Sequence, residues 1–171
     1  MGKVSTKENK SIYQETRDEL KLSREKVEMI LSDMEYEGST GRFSYFTADR
    51  LSKLELEKQP FQPEDVLALS LAYNKPELRN YYCCHQCPIG EKDAPEVADT
   101  SNVHKTLVEM AVSLESVNAQ KLRLMEILAD GKVDDTEVKD LNKILEELEK
   151  ISMTVEAIQL WCEKIKLSSN E

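Results

Sequence analysis

Three cysteines and a histidine fall within five consecutive residues of this 171-residue chain, Cys83-Cys84-His85-Gln86-Cys87. Thiolates and imidazoles bind zinc, but a structural zinc site normally uses two ligand pairs separated by a longer loop. The remaining candidates, His104 and Cys162, form no second pair. The cluster therefore favours reduced thiols that pack as small apolar side chains at a helix end, with zinc binding as the alternative. We predict no metal site.

A second group of oxygen ligands, Asp130 to Glu137, resembles half of a calcium-binding loop. Gly131 and Glu137 match its sixth and twelfth positions, but the third position, which requires an oxygen ligand, falls on Leu128. The simpler interpretation is a helix that ends at Gly131 and a new helix whose N-cap, Asp134, forms a capping box with Glu137.

Catalytic motifs are missing from the sequence. It contains no G-x-S-x-G, no glycine-rich phosphate loop and no H-E-x-x-H, and its two histidines, His85 and His104, lie in different segments. We therefore expect no enzyme, no catalytic residues and no cofactor.

The net charge of −10 is unevenly distributed. Residues 1–90 carry 13 Lys and Arg against 15 Asp and Glu, whereas residues 91–171 carry 10 against 18. Nonspecific affinity for nucleic acid depends on cations that neutralise phosphates, so any DNA contact is expected in the less acidic first half.

Low glycine and proline counts, five each, and few runs of β-branched or aromatic residues indicate an all-α protein. Ser11 and Ser23 are suited to cap the first two helices, and Pro63 to begin the fourth. A short fifth helix is predicted over residues 76–82. The apolar positions of the fourth helix recur at spacings of three and four and predict its core face: Val66, Leu69 and Tyr73.

Two segments follow a known pattern, Leu22-Ser23-Arg24-Glu25-Lys26-Val27 and Thr47-Ala48-Asp49-Arg50-Leu51-Ser52-Lys53-Leu54-Glu55. They align with L-T-Q-E-x-L-A and S-x-x-T-I-S-x-I-E, and the segment from Pro63 aligns with P-x-x-E-x-L-x-x-I. On these residues the chain resembles, over about positions 12–82, the helix-turn-helix domain of phage-repressor-like transcriptional regulators, the xenobiotic response element family.

The resemblance implies a sequence-specific transcriptional regulator that binds double-stranded DNA as a homodimer. In that family the start of the second helix contacts phosphate, a role that falls here on Arg24. The start of the recognition helix contacts base edges, and these positions fall on Thr47, Ala48, Asp49, Arg50 and Lys53. Arg50 is suited to a bidentate bond with guanine, and Asp49 to accepting a hydrogen bond from cytosine.

The chain departs from the family pattern at two places. Glu28 replaces a small residue, usually alanine, where the two helices cross, so its carboxylate must turn outward or find a partner. Residues 33–46 lengthen the turn between the helices. Three side chains in this insertion are candidates for contacts with the DNA backbone: Tyr36, Arg42 and Tyr45. These departures and the acidic balance favour an alternative, a protein-interaction module that keeps the fold without binding DNA.

The second half predicts two long helices that form an antiparallel hairpin. Apolar residues recur at spacings of three and four in both, Val103, Leu107, Met110, Leu114, Val117, Leu124 and Leu128, then Ile144, Leu148, Ile151, Val155, Ile158, Cys162 and Ile165. Further apolar residues widen both stripes, so a second copy is expected to complete a four-helix bundle. The alternative is that the hairpin packs on its own N-terminal domain.

The predicted organisation is a disordered tail (1–10), a five-helix helix-turn-helix domain (11–90), a linker (91–101) and a dimerising helical hairpin (102–171). No apolar run approaches the roughly 20 residues of a membrane span, and no signal peptide is visible. We therefore expect a cytoplasmic protein without a membrane partner.

Overall fold

The computed structural model describes residues 10–97, 102–129 and 133–168, so nearly all of the predicted tail and the end of the predicted linker lie outside the described residues. The chain divides into two compact units, residues 1–90 and 91–171. The predicted all-α class is confirmed. The described residues form eight helices and one small sheet: α1 (Ile12–Glu19), α2 (Arg24–Asp33), β1 (Glu35–Tyr36), β2 (Ser39–Thr40), α3 (Ala48–Glu55), α4 (Pro63–Ala72), α5 (Glu77–Gln86), α6 (Gly90–Asp93), α7 (Val103–Ile127) and α8 (Val138–Ser168).

Side-chain caps set the helix starts in the first unit. Ser11 and Ser23 accept hydrogen bonds from the backbone N–H groups of the third residues of α1 and α2, as predicted. Thr47 caps α3 in the same way, and Pro63 occupies the first position of α4. Helix α5 runs four residues beyond its predicted end at Tyr82 and includes most of the cysteine cluster.

The core of the first unit draws on every one of its helices from α1 to α5. Fully buried side chains come from Tyr13 on α1, from α2, α3 and α4, and from Leu78 on α5. The predicted core face of α4, Val66, Leu69 and Tyr73, is confirmed as buried.

The segment between α2 and α3 is structured, which the sequence pattern did not predict. Its first half is a two-stranded hairpin whose turn residues, Glu37 and Gly38, both have positive φ, 51° and 74°, the geometry of a two-residue hairpin turn. Its second half places Phe43 and Phe46 in the core, at 2% and 1% exposure. The insertion is therefore part of the packed unit.

The second unit contains the long helical pair. Helices α7 and α8 pack closely, and Arg123 near the end of α7 donates to Asp140 at the start of α8 over 2.8 Å, as an antiparallel arrangement requires. The predicted capping box is present, because the Asp134 carboxylate accepts from the Glu137 N–H while the Glu137 carboxylate accepts from the Asp134 N–H. Residues 130–132, which include the predicted helix end at Gly131, lie outside the described residues.

The buried stripe of the helical pair differs from the predicted one. Five predicted positions are exposed by 39% to 54%: Leu107 and Leu114 on α7, Leu128 directly after it, and Leu148 and Ile165 on α8. Of the predicted residues, Ile144 is confirmed as buried. The other buried positions lie outside the predicted stripe: Thr106, Ser113, Ile127, Thr154, Ala157 and Leu160. Because both helices carry apolar residues on more than one face, spacing alone did not identify the facing sides.

None of the helices within the described ranges combines the length and the apolar character needed to cross a bilayer.

Candidate nucleic-acid interface

Helix α3 is anchored on one side and open on the other. Leu51 and Leu54 are buried in the core, and α3 packs against α2. The opposite side exposes Thr47, Asp49 and Lys53. The last two form an ion pair of 2.5 Å at a spacing of four residues, in which both side chains remain accessible. The exposed side therefore contains three of the five predicted base-contacting residues, and a fourth, Ala48, is half-exposed beside them.

Glu28 lies at the N-terminus of α3. Its carboxylate accepts a hydrogen bond of 2.7 Å from the backbone N–H of Ala48. The Thr47 hydroxyl accepts another from the N–H of Arg50 over 3.2 Å. A helix N-terminus carries partial positive charge and unpaired N–H groups, so Glu28 compensates both and fixes α2 to α3. Glu28, which replaces a small residue where α2 and α3 cross, thus has a hydrogen-bond partner.

Arg50 makes a bidentate ion pair inside the first unit. Its Nε and Nη2 atoms donate to the two oxygens of Asp65 over 2.8 and 3.0 Å. The Asp65 side chain is fully buried and also accepts from the N–H of Gln62 over 3.0 Å, whereas Arg50 is 32% exposed. The hydrogen bond to Asp65 raises the pKa of the Arg50 guanidinium. The two guanidinium N–H groups of Arg50 that could bind a guanine edge are therefore already bonded to Asp65.

The ring of Tyr45 flanks this ion pair. The Arg50 guanidinium carbon lies 5.6 Å from the centre of that ring, within cation–π range. Tyr45 itself is 44% exposed. The inserted segment thus reaches the N-terminal end of α3 and restrains Arg50 from a second direction.

A second charge network lies at the other end of α3. The fully buried carboxylate of Glu55 accepts from Arg17 of α1 over 2.6 Å and from Arg24 of α2 over 2.7 Å. Arg17 also donates to the carbonyl of Leu22 over 2.7 Å. Nearby, burial and the Glu55 charge raise the pKa of Tyr73, whose hydroxyl has no hydrogen-bond partner among the described residues. One carboxylate therefore joins three helices.

Arg24, the predicted phosphate contact, is oriented by this network. Its side chain is 33% exposed while its Nε and Nη2 atoms are directed at Glu55. Because a guanidinium has five N–H donors, the ion pair does not use all of its capacity. Arg24 is thus a fixed, partly accessible cation at the start of α2.

The remaining aromatic and cationic candidates are Tyr36 in β1 and Arg42, two residues after β2. Arg42 pairs with Glu37, and its guanidinium carbon lies 4.9 Å from the centre of the Tyr36 ring. Arg42 is 44% exposed. The positive charge of Arg42 is therefore balanced by Glu37, which lies in the turn of the hairpin.

The cysteine cluster lies at the C-terminal end of α5. Its cysteines are half-buried, and the His85 ring stacks on Tyr81 with 4.4 Å between ring centres. Across the residues that the structure describes, no three His, Cys, Asp or Glu side chains are grouped to hold a metal ion. A side chain at Gly90 would meet the Cys83 carbonyl at 2.3 Å, so the chain after α5 packs directly against this helix.

Three residues of the site had no identified role in the sequence: Arg17, Glu55 and Asp65. Glu55 was visible only as the last position of the recognition-helix pattern, and Asp65 only as an acidic residue in the first turn of α4. Arg17 and Glu55 are 38 positions apart in the sequence, and Arg50 and Asp65 are 15 apart. A pattern of nearby residues cannot predict pairs at such distances.

Comparisons with protein-family models, curated proteins and solved structures find no match to this chain.

Proposed function

We propose that the first unit binds double-stranded DNA sequence-specifically through the exposed side of α3, and that the chain is a homodimeric transcriptional regulator. One observation carries this proposal. Thr47 and Asp49 at the leading end of α3 are exposed to solvent, while the inner side of the helix is held by buried leucines and by ion pairs at both ends. A rigid helix with an accessible N-terminal end is the element that enters a major groove.

The contacts divide between exposed and anchored residues. Lys53 is the cation on the exposed side, suited to the acceptors of guanine, and the Thr47 hydroxyl and the Asp49 carboxylate lie on the same side. Arg50 positions α3 through Asp65 instead of contacting a base. Arg24, held by Glu55, contacts a phosphate.

The strengths of the ion pairs support this division. The exposed pair of Asp49 and Lys53 contributes about 0.3–0.5 kcal/mol, as is usual for such helical pairs, so DNA can replace it at little cost. The pair of Arg50 and buried Asp65 is different, because removing the cation from a buried carboxylate costs about 3–5 kcal/mol. Lys53 is therefore free to exchange partners, and Arg50 is not.

A specific observation favours a second candidate, a protein-interaction module without DNA binding. Four cations around α3 are already paired with carboxylates: Arg24, Arg42, Arg50 and Lys53. Glu28 occupies the N-terminus of α3, where a phosphate would otherwise be favoured. A partner protein needs no counterion release, so these pairs do not oppose its binding.

Fluorescence anisotropy with labelled DNA separates the two candidates. We expect the full chain to bind random duplex at low salt, to lose affinity steeply as salt is added, and to enrich a common sequence from a random pool. Lys53→Ala should weaken binding to the enriched sequence by about 10-fold, within the usual 1–3 kcal/mol of a base contact.

Lys139→Ala is the matched control, since Lys139 is also an exposed helical lysine but lies on α8. It should leave the affinity unchanged. No binding at low salt together with no enriched sequence would reject DNA recognition and favour the interaction module.

A further inference from the structure

Three cysteines lie around the C-terminal end of α5. Cys83 and Cys84 belong to its last turn, and Cys87 is the residue directly after the helix. The Cys84 thiol donates a hydrogen bond to the side chain of Asn80 over 3.8 Å. None of the three is buried in the core, because each side chain keeps part of its surface accessible to solvent. A small solute can therefore reach all three sulfur atoms.

Helix geometry places Cys87 within disulfide range of both other cysteines. Cys84 precedes it by three positions and Cys83 by four. On an α-helix these spacings separate the Cα atoms by about 5 Å and about 6 Å, and the Cα atoms of a disulfide lie roughly 4.4–6.8 Å apart. The two spacings deviate from a full turn by about 60° and about 40° in opposite directions. Cys87 therefore lies one turn further along the helix, between the other two.

Cys83 and Cys84 are too close in the chain to pair with each other. Adjacent Cα atoms are about 3.8 Å apart, which is below the range of an ordinary disulfide. The cluster thus contains two pairs that can close, and both of them include Cys87. Three residues of the same type are therefore expected to have unequal roles.

The turn that carries these cysteines is held on two sides. Tyr13 of α1 donates to the Gln86 side chain over 3.1 Å, and Gly90 packs directly against the Cys83 carbonyl. Side chains three or four positions apart on a helix have Cβ atoms about 5–6 Å apart, whereas a disulfide needs about 4 Å. Cys87 has an extended backbone where the chain leaves the helix, φ −100° and ψ 116°. The small movement that closes the bond therefore falls on Cys87.

We propose that this cluster is a reversible oxidation site, in which Cys87 forms a disulfide with Cys84 or Cys83 and the oxidant is a hydroperoxide. One thiol, as its thiolate, attacks the O–O bond, so that its sulfur becomes a sulfenic acid and one water is released. The second thiol attacks the sulfenic sulfur, the S–S bond forms, and a second water leaves. The two sulfurs lose two electrons to the peroxide, and the two thiol protons end in the waters. The proposal goes beyond DNA recognition and does not depend on it.

Counting alkylated cysteines in the full chain tests the proposal. The reduced protein is treated with a small excess of hydrogen peroxide, alkylated and digested with trypsin, which releases residues 80–92 with all three cysteines in one peptide. Alkylation of this peptide should fall from three groups to one. Dithiothreitol should restore it to three, because a disulfide is reducible and a sulfinic acid is not. Cys162 of α8 is also half-buried but has no cysteine near it in the sequence, so it should stay alkylated as the internal control.

Serine variants that each leave two cysteines in the cluster separate Cys87 from its partners. Cys83→Ser and Cys84→Ser should each still form the cross-link through the pair that remains. Cys87→Ser should lose it, because its two remaining cysteines are adjacent.

The same variants can overturn the proposal. A cross-link that persists in Cys87→Ser, or one that is lost from both other variants, would contradict the shared role of Cys87. A wild-type peptide that keeps all its alkyl groups at peroxide doses that oxidise Cys162 would show that the cluster has no special reactivity. Covalent dimers on a non-reducing gel, in place of the internal cross-link, would also overturn it.

Discussion

Replacing Arg50 and Asp65 in turn should destabilise the first unit by unequal amounts. The ion pair joins a guanidinium that is 32% exposed to a carboxylate that is fully buried. Arg50→Ala leaves the buried carboxylate without its partner and should cost about 3–5 kcal/mol of unfolding free energy. Asp65→Ala leaves a cation that can turn towards water, and it removes the bond to the Gln62 N–H. We expect about 1–2 kcal/mol for that change.

The double variant Arg50→Ala/Asp65→Ala isolates the pair. Because it leaves no buried charge, it should be more stable than Arg50→Ala alone, with a coupling energy of about 2–3 kcal/mol. Urea unfolding followed by tyrosine fluorescence and far-ultraviolet circular dichroism measures these differences. The single tryptophan, Trp161, lies in the second unit and reports its unfolding separately.

Equal costs for the two single variants would refute this reasoning, and so would a cost below about 1 kcal/mol for Arg50→Ala, since that is the range of an exposed pair. Hydrogen exchange of peptides from α3 and α4 provides the local check. Loss of protection should be confined to the first unit. A loss of DNA binding in Arg50→Ala would then follow from an unfolded α3 and not from a missing base contact.

Two further predictions concern the insertion and the start of α8. Phe43→Ala should cost about 3–5 kcal/mol in urea unfolding because it empties a fully packed site, whereas the same change at half-exposed Tyr45 should cost clearly less; equal costs would contradict a structural role for the insertion. Hydrogen bonds from Thr136 and from backbone N–H groups lower the pKa of Asp134 below its usual 3.8. Because the pKa of Asp134 is lower in the folded state, the cap stabilises the fold at pH values above the usual pKa. This stabilisation is lost as the pH falls through the pKa of the folded state. Once exchange rates are corrected for their intrinsic dependence on pH, the protection of the Thr136 and Glu137 amides just before α8 should therefore fall in acid. Protection of these amides that does not change with pH would show that Asp134 does not stabilise this turn.

Local signals in the sequence predicted most helix starts. Ser11, Ser23 and Pro63 each begin a helix because a side-chain cap or a fixed φ acts within three residues of the position where it is read. The capping box of Asp134 and Glu137 was readable for the same reason. The information needed for these features is contained in a few consecutive residues.

Features that join distant segments were not predictable from spacing. The bond from Arg50 to Asp65 spans 15 positions and depends on how α3 and α4 cross. Phe43 and Phe46 belong to a segment rich in glycine and polar residues, which a pattern analysis assigns to a turn, yet the space beside α2 and α3 requires their rings. Tertiary packing decides such cases.

The facing sides of α7 and α8 were predicted only in part, for a related reason: Ile144 is buried as predicted, whereas five of the predicted leucine and isoleucine positions are exposed. A leucine-rich stripe is ordinarily buried, but Leu107 and Leu114 are exposed and the small residues Thr106 and Ser113 are buried beside them. On a helix with apolar residues around much of its circumference, several stripes satisfy the same period. Only the partner helix distinguishes them.

The separation of anchoring and exposed residues on α3 makes this helix a scaffold for engineering. Leu51, Leu54 and Glu55 hold it from within, whereas positions 47, 49 and 53 face solvent. Randomising those three positions should yield folded libraries in which binding preference varies while thermal stability stays nearly constant. The same molecule could then be retargeted without redesign of its core.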